Sequence, residues 1–243
     1  MSETSKGPAE RRDSVAREPE QITDPVKRAE AEAANGLRQF DVGKATAQEA
    51  IDRQEHSDYH FRLRPSLILT LHREALAGIS MFAGNYRPSS VRISESRHEP
   101  PPAHLVPELI EDLCEYVNDH WRSATPLHLA AYIMWRLNWV HPFADGNGRT
   151  SRITSYVVLM IKSGFILPGT PTIPDQIVSD RRGYFRALDE ADSALRDGRI
   201  DVSAMEELLA GMLARQLASF YQSAGGKLPN GVDLGALQAT PSQ

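Results

Sequence analysis

Cysteine is nearly absent: the 243 residues contain one, Cys114. No intrachain disulfide can form, and no Cys-based metal site can be assembled within the chain. A reducing cytosol, hence a cytoplasmic protein, is the expectation. Long apolar runs are lacking too. Stretches such as Tyr156 to Ile161 fall far short of the roughly 20 residues that a membrane span needs, and the first residues (MSETSKGPAERRDSV) contain no apolar signal region. No membrane partner is expected. Nor is there a basic excess: Lys and Arg total 27 against 32 Asp and Glu, a net charge of −5, which argues against nucleic acid as the main partner. Net charge describes the far field, however, and leaves room for a local arginine cluster that binds a phosphorylated small molecule. Two familiar phosphate signatures are missing as well, since neither G-x-x-x-x-G-K-[ST] nor a G-x-G-x-x-G after a strand occurs.

What remains is ordinary globular composition, 41% hydrophobic and 24% charged, in a chain long enough for one substantial core. Residues 1–25 are rich in Glu, Arg, Ser and Pro without periodicity and read as a flexible tail. Residues 225–243, dense in Gly and Pro, read the same way. Between them, residues 26–224 carry the fold, and their dominant signal is helical. Leu109, Ile110, Leu113 and Val117 share one helix face; Leu129, Ile133, Leu137 and Val140 share another, started by Thr125-Pro126 as N-cap and first residue. Ile153, Val157, Met160 and Ile161 mark a third helix ending near Ser163-Gly164. Met205, Leu208, Leu209, Met212 and Leu213 mark a fourth, with Ser203 and Glu206 spaced as a capping box. Leu67, Leu71 and Ala75, and the alanine-rich stretch from Val26 to Leu37, predict further helices. The fold class is therefore all-α. One segment, Ala83 to Pro102, breaks the pattern with turn signals, a short alternation over Ser90 to Ser94 and a triple proline. It suits either a small β-hairpin outside the helical core or a plain surface loop.

Chemistry concentrates in His141 to Arg152, H-P-F-A-D-G-N-G-R-T-S-R, between two apolar-periodic helices. Gly146, Asn147 and Gly148 permit turn conformations in which successive N–H groups converge on an anion, at the positive end of the following helix. Arg149 and Arg152 lie three apart on its first turn, and arginine clamps phosphate oxygens with a fixed fork of donors. Arginines at a helix N-terminus oppose its dipole unless an anion binds there. Asp145 is a hard carboxylate suited to Mg²⁺, His141 has the near-neutral pKa of a general base, and Phe143 reads as the anchor of the loop.

The segment resembles the Fic family motif H-x-F-x-[DE]-G-N-G-R-x-x-R at all eight specified positions. The likeness extends to Gly84-Asn85-Tyr86-Arg87 through Val91-Arg92-Ile93 and Ser96-Arg97-His98, which resemble the family's flap, and loosely to Tyr184-Phe185 near its nucleotide pocket. It implies a Fic fold, a helical bundle with a small β-hairpin flap, in a protein adenylyltransferase that moves AMP from ATP to a Ser, Thr or Tyr hydroxyl of a target protein. It further implies His141 as the general base and Asp145 as the Mg²⁺ ligand. Gly146, Asn147, Gly148, Arg149 and Arg152 then form the phosphate cradle, with Phe143 and Tyr184 beside the nucleotide and the flap, about 84–98, holding the target. Relatives that transfer phosphate carry Ala for Gly146 and Lys for Gly148, and neither is present. A nucleotide-binding regulatory or antitoxin-like interaction module, and transfer of a different nucleotide moiety, are the alternatives.

Many relatives also carry an inhibitory helix with the pattern [ST]-x-x-x-E-[GN]. Here Ser14 and Glu18 are followed by Pro19, Thr70 and Glu74 by Ala75, and Ser203 and Glu207 by Leu208. Ala34-Asn35 stands where a Glu-Asn is looked for, with Glu32 nearby. Inhibition by a glutamate of this chain is therefore expected to be weak or absent, or supplied by a separate small protein.

Overall fold

In a computed structural model that describes residues 14–15, 21–94, 96 and 98–226, most of the described chain is helical. Helix α1, Pro25–His56, starts where the Asp24 carboxylate accepts the N–H groups of Val26 (2.9 Å) and Lys27 (3.2 Å). Its buried residues Asn35, Gln39, Gly43 and Ala47 recur every fourth position and are small or polar. Gly43 allows a close approach: a Cβ there would stand 2.9 Å from Val157 Cγ2. Helix α2, Pro65–Leu76, follows. After the Ala83 to Pro102 segment come α3, Val106–Asp119, and α4, Pro126–Val140, the latter capped by Thr125 accepting His128 N–H at 3.0 Å. Helix α5, Asn147–Ser163, ends at Gly164.

Helices α4 and α5 form the centre, buried almost all round, with Ile133, Met134, Trp135 and Tyr156 among the most enclosed side chains. Burial of each such side chain contributes on the order of 1.5–3 kcal/mol. Helices α1 and α2 pack on α5, and α3 packs on α4. Three further helices complete the bundle: α6, Ile173–Ser179; α7, Arg182–Arg196; and α8, Ser203–Ser223. Helices α7 and α8 cover α4, while α6 bridges α5 and α8. Among the described residues, no helix is long and apolar enough to cross a membrane.

Two expectations change. The Ser203–Glu206 capping box does not form: Asp201 accepts both the N–H (3.1 Å) and the hydroxyl (2.7 Å) of Ser203, and Glu206 turns to His128. The capping box of this fold is at Thr172 and Asp175, opening α6. The hairpin also differs. Strand β2, Arg92–Ile93, forms inside the expected alternation, but it pairs antiparallel with β1, Ser14–Val15, which places Ser14 opposite Ile93. The chain around Arg87 is tied to the helical core, so the partner strand comes from outside the segment. Those two residues belong to the expected N-terminal tail; the rest of 1–20, residues 227–243, Glu95 and Arg97 lie outside the described residues.

Candidate active site

The motif loop is built by its own side chains. Helix α4 stops at His141, which adopts a left-handed conformation (φ 52°, ψ 57°) while its N–H still reaches Leu137 O at 3.0 Å. A left-handed backbone at a residue other than glycine is strained and persists where its surroundings fix it. Arg87, itself 2% exposed, does so. Its Nε donates to His141 O (2.8 Å), its guanidinium also donates to the carbonyls of Ser89 and Pro101, and its backbone N–H donates to Pro142 O (2.9 Å). Asn147 zips the loop shut, accepting Phe143 N–H at 2.9 Å and donating to Phe143 O at 2.8 Å. Gly146 then opens α5 at φ 78°, with no side-chain cap and no acidic residue in the first turn.

The His141 imidazole is buried, and its Nδ1 donates to Asn138 O at 3.2 Å, which leaves the basic lone pair on Nε2. Burial lowers its pKa to about 4, assisted by the nearby His98 and Arg87, so the ring is neutral at physiological pH. Asn138 in turn donates to Ser151 Oγ and to the Tyr184 hydroxyl, both at 2.8 Å, joining α4, α5 and α7 directly beneath the histidine. Asp145, its side chain 41% exposed, receives Arg149 Nη2 at 2.9 Å and Arg28 Nη2 at 3.9 Å. Arg152 differs. Among the described residues its guanidinium has no hydrogen-bond or ion-pair partner, and desolvation, with help from Arg181 and Arg149, lowers its pKa.

These groups line one cleft of about 1190 Å³ between α1, α5, α6, α7 and the residues Ile93, Ser96 and His98. His141, Asp145, Gly146, Asn147, Gly148, Arg149, Arg152 and Tyr184 all face it.

Residues 62–159 match the family model described as the Fic/DOC family. The chain carries a Fic/DOC-family region over these residues. It is 33% identical over 133 residues to "Protein adenylyltransferase Fic" of Nematostella vectensis, covering 51% of this chain and 28% of that protein. It is 30% identical over 183 residues to "Protein adenylyltransferase fic-1" of Caenorhabditis briggsae, covering 72% and 33%. The chain thus spans about a third or less of the length of these relatives. A Fic-domain signalling protein of Bacteroides thetaiotaomicron superposes with a TM-score of 0.61 at 23% identity, over 80% of this chain and 74% of that one. That likeness is one of fold.

Against this Fic framework two placements differ from expectation. Phe143 does not line the cleft: it is fully buried and stacks on His72, ring centroids 3.7 Å apart and planes 6° from parallel. Its apolar ring is worth more in the core, which matches its reading as the loop's anchor and not as a nucleotide contact. Asn147 lends the cleft its backbone, while its side chain is committed to Phe143. Glu32 does line the cleft, yet it pairs with Arg28 (3.2 Å), and among the described residues no carboxylate of α1 reaches Arg152. The sequence alone points to no role for His72 or Asn138, and places Arg87 and His98 only within the expected flap. His98 donates from Nε2 to Trp139 O at 2.7 Å and stands 3.8 Å from Asp192, whose other oxygen accepts Trp135 Nε1 at 2.8 Å. Burial raises the Asp192 pKa. His72, 1% exposed, has its pKa lowered to about 4 by burial. Most of these partnerships join residues distant in sequence, and no local pattern announces those.

Proposed function

We propose that the chain is a protein adenylyltransferase, with residues 26–224 as its working unit, that moves AMP from ATP to a Ser, Thr or Tyr hydroxyl of a target protein. The observation that carries the proposal is Arg152: a half-buried guanidinium with no hydrogen-bond or ion-pair partner among the described residues, beside an uncapped helix start, in a cleft large enough for a nucleotide. Arginine binds phosphate oxygens through a fixed fork of donors, and a polyphosphate in the cleft completes it. Arg149 and Arg152 bind the outer phosphates, while the N–H groups of Gly148 and Arg149, at the start of α5, receive the inner ones. Tyr184 stiffens the wall beneath His141 through Asn138.

His141 Nε2 takes the proton of the attacking hydroxyl. The hydroxyl oxygen bonds to the α-phosphorus, the bond from that phosphorus to the bridging oxygen of pyrophosphate breaks, and pyrophosphate leaves with the electron pair. A neutral imidazole already oriented by Asn138 O is the form this step needs, and a positioned base contributes roughly 10²- to 10⁴-fold. Asp145 is the residue that would hold Mg²⁺: among the described residues no cluster of three ligating side chains exists, and one half-exposed carboxylate beside a phosphate cradle suits an ion that keeps phosphate oxygens and waters as ligands. When bound, the ion neutralises phosphate charge. The flap, about 84–98, holds the target by adding its main chain as a strand at β2. Glu32 is paired with Arg28, which supports weak or absent inhibition by a glutamate of α1, or inhibition supplied by a separate small protein.

Incubating the chain with ATP, Mg²⁺ and cell lysate, followed by mass spectrometry, is the test. Hydroxyl residues bearing AMP are expected with the wild type and not with His141→Ala. Modification that survives the substitution contradicts the mechanism.

A further inference from the structure

His72 lies on α2, outside the motif, and both of its ring nitrogens and one ring face are used. The Gly84 N–H donates to its Nδ1 at 3.0 Å, so that nitrogen carries no proton. The proton is therefore on Nε2, which donates to the Asp145 carbonyl at 3.0 Å. One face stacks on Phe143. Gly84 is the root of the flap, Phe143 anchors the motif loop, and the Asp145 carbonyl belongs to the peptide unit joining Asp145 to Gly146.

That peptide unit matters because C=O and N–H point in opposite directions across a trans peptide. With the carbonyl held by His72, the Gly146 N–H is aimed the other way, where it donates to Oδ1 of the Asp145 carboxylate. Rotation of the unit would release both bonds together. A single ring on a rigid helix thus sets the orientation of the Asp145 carboxylate on one side and the start of the flap on the other.

We propose that His72 is a positioning residue which holds the Asp145 carboxylate and the root of the flap in one fixed register, so that the phosphate-binding and target-binding halves of the site are set by one side chain. The proposal rests on the reading of Asp145 and the flap given above.

The two nitrogens can be tested separately in the full chain. His72→Gln places an amide N–H near the Nε2 position and keeps the bond to the Asp145 carbonyl; His72→Asn places an amide oxygen near Nδ1 and keeps the acceptor for Gly84; His72→Phe keeps only the stack. Three readouts are needed: ATP affinity across a Mg²⁺ series, hydrogen exchange at the Gly84 amide, and transfer of label from ATP to lysate proteins. For His72→Gln we expect an unchanged Mg²⁺-dependent gain in ATP affinity, about tenfold faster Gly84 exchange, and reduced labelling. His72→Asn should keep Gly84 protected and lose Mg²⁺-dependent ATP affinity by on the order of 10- to 100-fold, the usual effect of removing a group that orients a metal ligand. His72→Phe should show both losses. If His72→Phe fails to fold, the opposite signatures of the Gln and Asn variants carry the test.

The proposal is overturned if Gln and Asn behave alike, whether both within twofold of wild type or both impaired in step with their melting temperatures, since a merely structural side chain would give that result. A wild-type protein that labels nothing while the two variants still split ATP affinity from Gly84 exchange would overturn the transferase reading and leave the positioning role intact.

Discussion

Gly146 carries two separable demands, and Gly146→Ala exposes both. Its φ of 78° lies in the left-handed region, which costs a residue with a Cβ roughly 1–2 kcal/mol. An ideal Cβ at this position would also stand 2.5 Å from Leu76 Cδ2 and 3.4 Å from His72 Cδ2. Leu76 is fully buried, so its methyl group has little room to retreat, and forcing an extra carbon into a packed site costs roughly 1–3 kcal/mol. Against this, alanine restricts the unfolded chain and returns about 0.4–1 kcal/mol. The net expectation is a loss of about 2–4 kcal/mol, a large share of the 5–15 kcal/mol typical of a folded domain. Urea unfolding of Gly146→Ala, Leu76→Ala and the double variant separates the parts. Leu76→Ala alone costs about 2–5 kcal/mol through its cavity. In its presence the added methyl has space, so the double variant should be more stable than additivity predicts by about 1–3 kcal/mol, the conformational part remaining. A loss below about 0.5 kcal/mol in Gly146→Ala, or strict additivity, would refute the account of the loop.

Three further outcomes follow from the same geometry. Arg152→Met should leave the nucleotide-free protein as stable as wild type or more so, because it removes a partly desolvated cation that has no ion-pair partner among the described residues, yet weaken ATP binding by about 1.5–3 kcal/mol; equilibrium unfolding and titration calorimetry check the two halves. Arg87→Met leaves the carbonyls of His141, Ser89 and Pro101 without their donor and should cost about 2–5 kcal/mol, with only partial rescue by Lys, whose single ammonium cannot span three acceptors. Unfolding midpoints measure it. For His141, the unfolded chain takes a proton near pH 6.5 and the native state only near about 4. The unfolded state therefore binds more protons across that window, and about 3 kcal/mol of stability present above pH 6.5 is lost as pH falls toward 4. The same burial predicts that kcat/KM for transfer has its acidic limb near pH 4; a limb centred at 6.5 would show that the ring is not shielded as described.

Much of this molecule is written locally in its sequence. Thr125-Pro126 starts α4 and Gly164 ends α5 because capping depends on residues within one turn. The 141–152 motif is likewise legible, since the loop, the helix start and the two arginines are contiguous. Helices α6 and α7 are not evident from the sequence: the first is only seven residues long, and the second fills half of its buried positions with alanine, which leaves a weak apolar signal. Ser203 and Glu206 have capping-box spacing, but Ser203 is the first helical residue and not the N-cap, its N–H and hydroxyl go to Asp201, and His128 competes for the glutamate. Phe143 was legible as an anchor, though not its stacking partner. His72 and Arg87 meet the motif across 73 and 54 residues of sequence, so only the packing of α2 and the flap against α5 reveals them.

The central claim is that the α-phosphate, and not the γ-phosphate, travels to the target under control of His141. Parallel reactions with ATP labelled at either phosphate, run on one lysate with wild type and His141→Ala, test it directly. The account predicts protein-bound label from α-labelled ATP alone, abolished in His141→Ala while ATP affinity is retained. Label arriving from the γ-position, or α-label undiminished without the histidine, would contradict it.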